Sequence, residues 1–187
     1  MNLLIVTALP SELDGARAPK GARMIYTGIG KIKTAVATGE AIASSRPDLI
    51  VNYGTAGKIN KSINGLVSVS QVLQRDMSTV PLAPRGVTPL SSDPPVLTSG
   101  VAGVTCGTGD SFVTAADLWL VENGVDIVDM ELFAMAFVCE RHGVTWRSFK
   151  FITDDANDFA ADHWTANVMN GEELFWAALE ETLRRGF

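Results

Sequence analysis

The chain is predicted to fold as an α/β sandwich of three layers. Three observations predict this. Buried strand patterns alternate with helical ones along the 187 residues. Glycines or acids stand directly after those strands, where open α/β sheets bind ligands. Hydrophobic residues make up 47% and charged residues 19%, enough for a buried core and too few charges for a disordered tract. A single domain over residues 1–187 is expected from that length.

The elements follow in order. Leu3-Leu4-Ile5-Val6 has no polar alternation and reads as a buried strand. Met24-Ile25-Tyr26 is a short second strand, ended by Gly28 and Gly30. From Lys31 to Ser45, Ile32, Ala35, Val36, Gly39 and Ala43 fall at helical spacing, giving a small-residue face suited to packing on a sheet. Arg46-Pro47 closes that helix, because the residue before proline disfavours helical geometry. Leu49-Ile50-Val51 is a third buried strand, running into the glycine turns at Gly54 and Gly57. Leu66 to Leu73 alternates and reads as a more exposed strand. Met77 to Pro95 carries five of the eight prolines and no period, so a surface loop is expected. Val101 to Cys106 reads as a strand, Ser111 to Asn123 as a helix stopped by Gly124, and Asp126-Ile127-Val128 as a short strand. Met130 to His142 is apolar on nearly every side, which predicts a buried helix ended by Gly143. Phe149-Lys150-Phe151-Ile152 is the last strand, and a final helix places Phe175, Ala178, Leu179, Thr182 and Leu183 on one face. Trp119 and Trp146 are read either as subunit contacts or as ordinary packing.

Composition excludes several functions. The formal net charge is −6 and the pI about 4.9, and the densest basic cluster is Arg184-Arg185. No basic stripe could track phosphates, so no nucleic-acid partner is expected, and the substrate should be small and not polyanionic. Cys106 and Cys139 sit in apolar runs and read as buried thiols. His142 and His163 lack partners at metal-ligand spacing, so no metal and no cofactor is expected. Met1 to Leu9 lacks a basic leader, and no run approaches membrane-spanning length. A soluble cytoplasmic chain is expected, in which the Asn60-Lys61-Ser62 sequon is chance.

Gly28-Ile29-Gly30 could be half of a dinucleotide fingerprint, but Lys33 stands at the third glycine position. Gly57-Lys58 lacks the rest of a phosphate loop. These glycines are read either as tight turns or as backbone N–H groups facing a ligand or an attacking water. Among the acids, Glu12 follows the first strand and could be a solvated cap or a catalytic group. Glu131 heads an apolar helix, where a charge must be paired or used. Thr153-Asp154-Asp155-Ala156-Asn157-Asp158 puts three acids past a buried strand, either as a solvated loop or as a site.

Taken together and in order, Glu12, Gly28-Ile29-Gly30-Lys31, Asn52-Tyr53-Gly54-Thr55-Ala56-Gly57, Gly109-Asp110-Ser111-Phe112, Asp129-Met130-Glu131 and Ile152-Thr153-Asp154 resemble the methylthioadenosine/S-adenosylhomocysteine nucleosidase family, within the wider nucleoside phosphorylase fold. The resemblance covers most of the chain. It implies a central mixed sheet, no cofactor, a purine nucleoside as small-molecule partner, a homodimer and a place in purine and methionine salvage. It implies that Asp154 protonates the purine, Glu12 deprotonates water, and Glu131 holds the ribose hydroxyls with Met130 under the sugar. It also implies that Phe112 stacks on the base, that the backbone of Val113 reads its edge, and that Gly54, Thr55, Ala56 and Gly57 lie near the water. The chemistry suits these types: one carboxyl holds a proton for the leaving base, and Asp155 beside Asp154 is expected to help by like-charge crowding. An ionised carboxylate steadies the developing positive sugar.

Hydrolysis is favoured over phosphorolysis, because neutral Asn52 stands where related phosphorylases have an arginine, and Glu12 would repel phosphate. Arg75 is the nearby cation and is expected to pair with an acid. The segment Met77 to Leu97 is shorter than its family counterpart, which leaves the 5′-substituent open and keeps a futalosine-type hydrolase or a non-catalytic purine binder as alternatives. His163 and Trp164 are read as surface packing or as a cover for the sugar's 5′ side.

Overall fold

The structure is a computed structural model that describes residues 1–156, 167 and 169–186. Among these, eight strands form one mixed sheet: β1 (Leu3–Thr7), β2 (Arg23–Tyr26), β3 (Leu49–Lys58), β4 (Leu66–Gln74), β5 (Val96–Thr98), β6 (Val104–Thr108), β7 (Ile127–Asp129) and β8 (Thr145–Asp154). Helices α1 (Lys31–Ser45), α2 (Leu118–Glu122), α3 (Leu132–His142) and α4 (Glu172–Arg185) flank it. His163 and Trp164 lie outside the described residues.

β1 pairs in parallel with β2 on one side and with the first half of β3 on the other. β3 pairs in parallel with β8, β8 antiparallel with β4, β4 in parallel with β6, and β6 in parallel with β7. β7 then returns antiparallel to the last residues of β3. The circuit closes that part of the sheet into a small barrel, which leaves fewer open edges. A bulge between Ala56 and Gly57 shifts the register against β8 where the circuit closes, and bulges add the twist that closure needs.

Alternation along β1 divides the core into the expected layers. Leu4 and Val6 pack with Ile42, Leu132, Met135 and Cys139 on the side of α1 and α3. Leu3 and Ile5 pack with Leu13, Val51, Phe175 and Leu179 on the side of α4. Each such side chain contributes roughly 1.5–3 kcal/mol through burial. Phe175 anchors α4, with its ring centroid 4.7 Å from Tyr53 and 6.2 Å from Phe149. Among the described residues, no helix is long and apolar enough to cross a membrane.

Several local expectations are corrected. α1 has the expected bounds but is rotated: Thr34, Thr38, Ala41 and Ile42 are buried, while Ile32 and Val36 are 79% and 57% exposed. Two faces of this helix could pack; the one taken carries Thr34, Thr38, Ala41 and Ile42, with Ala41 and Ile42 packed in one cluster with Leu132, Met135 and Cys139 of α3. Gly54 to Gly57 form no turn; they continue β3, which runs on to Lys58. The helix expected from Ser111 is confined to Leu118–Glu122, because Arg75 takes the carbonyls of Gly109 and Ser111 and Asp117 caps α2 at Trp119 N. The strand expected from Val101 starts at Val104, and β5, directly after the proline-rich tract, was not anticipated. Gly103 crosses Ser68 so closely that a Cβ would lie 2.2 Å from the Ser68 carbonyl oxygen. Trp146 is only 3% exposed and belongs to the core, not to a surface contact.

Candidate active site

The strand ends deliver most of the expected residues to one cavity of about 170 Å³. Ala8, Leu9 and Glu12 come from the segment after β1, and Thr55, Ala56 and Gly57 from the end of β3. Thr153 and Asp154 close β8; Val128 and Asp129 close β7. Met130 and Glu131 precede α3, and Ser111, Phe112 and Val113 follow β6. Ile29, Arg75 and Ala156 complete the lining. Of the expected residues, only Gly54 is not part of this lining.

Glu12 is 4% exposed and is held by four donors, two on each oxygen. Oε1 accepts from Thr55 N and Thr55 Oγ1, both at 3.0 Å. Oε2 accepts from Thr7 Oγ1 at 3.2 Å and Leu9 N at 3.1 Å. Two strands therefore fix its orientation: β1 supplies Thr7 and β3 supplies Thr55. It is a buried, hydrogen-bonded part of the cavity lining, not a solvated cap.

Asp154 is 8% exposed. Its Oδ2 accepts from Thr153 Oγ1 and its Oδ1 from Ala156 N, each at 2.9 Å. The reason for glycine at 57 is space: a Cβ there would lie 2.6 Å from Asp154 Oδ1. Asp155 does not crowd Asp154 as expected; its carboxylate pairs with Lys58 Nζ at 3.1 Å and is half exposed. Asn157 and Asp158 lie outside the described residues.

Glu131 stands at the N-cap of α3, and its Oε1 accepts from Gly30 N at 2.9 Å. That donor exists because Gly28 and Gly30 adopt φ of 78° and 97°, which turns the chain into α1 with the amide facing Glu131. Burial first, and the charge of Asp129 second, push the Glu131 carboxyl up to about 7.

Beneath the cavity lies an ion pair that sequence reasoning missed. Lys150 Nζ meets Asp129 Oδ2 at 2.8 Å, with side chains 1% and 0% exposed. Asp129 also accepts from Thr108 Oγ1 at 2.5 Å, Leu132 N at 2.9 Å and Cys106 Sγ at 3.4 Å. Burial alone would raise the Asp129 carboxyl, but the charge and hydrogen bond of Lys150 outweigh it and hold it low. Gly54 serves this pair: a Cβ there would lie 2.9 Å from Lys150 Nζ and 3.6 Å from Glu12 Oε1. The signal was present in the sequence as one lysine inside Phe149-Lys150-Phe151-Ile152.

Arg75 is corrected too. It is 4% exposed and pairs with no acid among the described residues; Asp76 goes instead to Lys31 Nζ at 2.6 Å. The Arg75 guanidinium donates to Gly109 O at 3.0 Å, Ser111 Oγ at 3.3 Å and Ser111 O. Asn52 is equally committed, donating to Val6 O at 3.0 Å and accepting from Ser148 Oγ at 2.9 Å. Both terminal nitrogens of Arg75 are thereby engaged, while its Nε is buried without a hydrogen-bond partner. Phe112 is 50% exposed at the cavity mouth, as a group that must meet a ligand face can be.

The site can therefore present two fixed carboxylates, Glu12 and Asp154, and a third, Glu131, across a largely apolar slot that the half-exposed Phe112 ring also lines. Comparison with known proteins agrees with this architecture. A 5′-methylthioadenosine/S-adenosylhomocysteine nucleosidase of Shewanella halifaxensis is 29% identical over 168 residues, covering 77% of this chain and 73% of the relative. The fold matches a Helicobacter pylori nucleosidase of that name bound to butyl-thio-DADMe-Immucillin-A, with a TM-score of 0.84, 20% identity, and 96% and 98% of the two chains covered. It also matches a futalosine hydrolase of Helicobacter pylori, with a TM-score of 0.80, 20% identity and 91% of each chain covered. The family model of the phosphorylase superfamily matches residues 20–184, and the chain belongs to that superfamily.

Proposed function

We propose that the protein is a purine-nucleoside N-glycosidase that uses water as nucleophile. The observation that carries this is the convergence of Glu12, Glu131 and Asp154 on one cavity with Phe112 and Val113. Asp154 gives a proton to the leaving base, which removes the anionic charge of the departing purine. Glu12 orients water against the far side of the sugar and accepts its proton. Glu131 accepts hydrogen bonds from the ribose hydroxyls, with Met130 beneath the ring. Phe112 stacks on the base, and the Val113 backbone reads its edge. Gly57 and Ala56 shape the floor, while Thr55 positions Glu12 and Gly54 leaves room for Lys150. Each general acid or base contributes roughly 10²–10⁴-fold.

Adenine nucleosides with a 5′ thioether are the favoured substrates, by likeness to the nucleosidases named above. Water is favoured over phosphate because Glu12 occupies the nucleophile's side of the cavity and Arg75, the one cation among the described lining residues, is committed to Gly109 and Ser111. We read the chain as a cytoplasmic homodimer of purine and methionine salvage. The exposed apolar residues Ile29, Ile32 and Val36 support a second copy at this end of α1. Sedimentation at micromolar concentration tests the dimer.

The functional test is base release from methylthioadenosine, S-adenosylhomocysteine, adenosine, inosine and futalosine, with and without phosphate. Release from the thioether nucleosides without phosphate is expected. Strict phosphate dependence would replace the hydrolase by a phosphorylase, and preference for futalosine would move the 5′ specificity.

A further inference from the structure

The chemistry above leaves the proline-rich segment between β4 and β5 without a task, yet one of its residues bonds to Arg75, which lines the cavity. Arg85 Nε donates to Arg75 O at 2.6 Å. Its two terminal nitrogens donate to the two Asp117 oxygens at 3.1 Å and 2.6 Å. Its guanidinium lies 4.4 Å from the centre of the Trp119 ring. A bidentate fork and a stacked ring fix an arginine far better than a single surface contact does. Gly86 lies flat on the same ring, where a Cβ would come within 3.1 Å of Trp119.

The partners of Arg85 bracket the base-binding segment. On one side Arg75 holds the carbonyls of Gly109 and Ser111. On the other, Asp117 caps α2, and Trp119 and Val113 pack on the cluster of Leu73, Leu120, Val125 and Val128. Phe112 lies between these points and is 50% exposed, so its own packing does not fix it. We infer that Arg85 is a positioning residue for the base: through Arg75 and Asp117 it sets where Phe112 and Val113 meet the purine. The inference rests on the proposed purine site. It gives the shortened segment a role in base affinity that is separate from any 5′ pocket.

The test compares wild type with Arg85→Ala, Arg85→Lys, Asp117→Asn and the Arg85→Ala/Asp117→Asn double variant. Asparagine keeps a cap for α2 while weakening the fork. KM for the nucleoside should rise about 10-fold in Arg85→Ala with kcat within about threefold, since small displacements of a binding group are costly. Arg85→Lys should fall between, because an ammonium cannot span both oxygens, and it carries the comparison if Arg85→Ala does not fold. The double variant should be no worse than Arg85→Ala alone, as for two members of one network. Amide exchange at residues 109–117 should quicken in step with KM. Unchanged KM and exchange in folded Arg85→Ala, or a loss of kcat at constant KM, would overturn the inference. A wild type that releases no base counts against the nucleosidase reading alone, and the exchange at 109–117 then decides the role of Arg85.

Discussion

Replacing Lys150 by methionine removes one member of the ion pair under the site and leaves the other buried. The side chains are 1% and 0% exposed and 2.8 Å apart, so water cannot take over the lost contact without opening the core. Breaking a buried pair in this way costs about 3–5 kcal/mol, a large share of the roughly 5–15 kcal/mol that holds a domain folded. For a chain of this size each kcal/mol lowers Tm by about 2–4 °C, so Lys150→Met should melt about 6–20 °C below wild type. The pH dependence makes the test sharper. In wild type the Asp129 carboxyl is held low, so its contribution is present above its unfolded pKa and is lost as pH falls through the lower folded value. Without Lys150, the hydrogen bonds from Thr108 and Leu132 are left to oppose burial, the largest influence, and the carboxyl rises. The deficit of the variant should then grow as pH rises above about 4, where the unfolded aspartate ionises and the buried one cannot. Calorimetric melts between pH 5 and 8 measure it. The Asp129→Asn/Lys150→Met double variant should recover more than half of the loss. A deficit under about 1 kcal/mol at pH 8, flat with pH, would mean that Lys150 does not hold the buried Asp129 charge.

Glu131 gives a second pH signature. Its carboxyl is pushed up to about 7, so the folded state holds a proton that the unfolded state has released, and wild type should lose stability as pH rises from about 4.5 through 7. Glu131→Gln should remove that slope and melt higher than wild type at pH 8; parallel curves would contradict the assignment. Gly57→Ala places a Cβ 2.6 Å from Asp154 Oδ1, so Asp154 must move while the strand survives. Base release should fall about 10²-fold with a small change in Tm, and retained activity would show that Asp154 tolerates displacement.

How far the sequence went can be judged residue by residue. Glu131 was legible on physical grounds, because an acid heading Leu132 to Val138 had to be paired or used, and it accepts from Gly30 N at 2.9 Å. Glu12 and Asp154 were legible by their place after strands and by resemblance, and both line the cavity. The glycines at 54 and 57 were found for the wrong reason. Neither has positive φ; each is small because a charged side chain crosses it. Lys150 and Asp129 escaped because their partnership joins β8 to β7, a contact without local pattern. The same holds for Arg75, whose bonds to Gly109 and Ser111 also explain why a helical pattern from Ser111 stays non-helical. The face of α1 was misread because hydrophobicity alone does not decide between Ile32 and Val36 on one side and Thr34 and Thr38 on the other.

In the proposed reaction Asp154 is the acid of a water-driven cleavage of a purine nucleoside. Its most direct test measures adenine release from methylthioadenosine in phosphate-free buffer by wild type and Asp154→Asn, alongside adenine binding to both. Wild type should release adenine without phosphate, and the variant should lose at least about 10²-fold in kcat while still binding adenine. An Asp154→Asn enzyme that turns over at the wild-type rate would contradict the account.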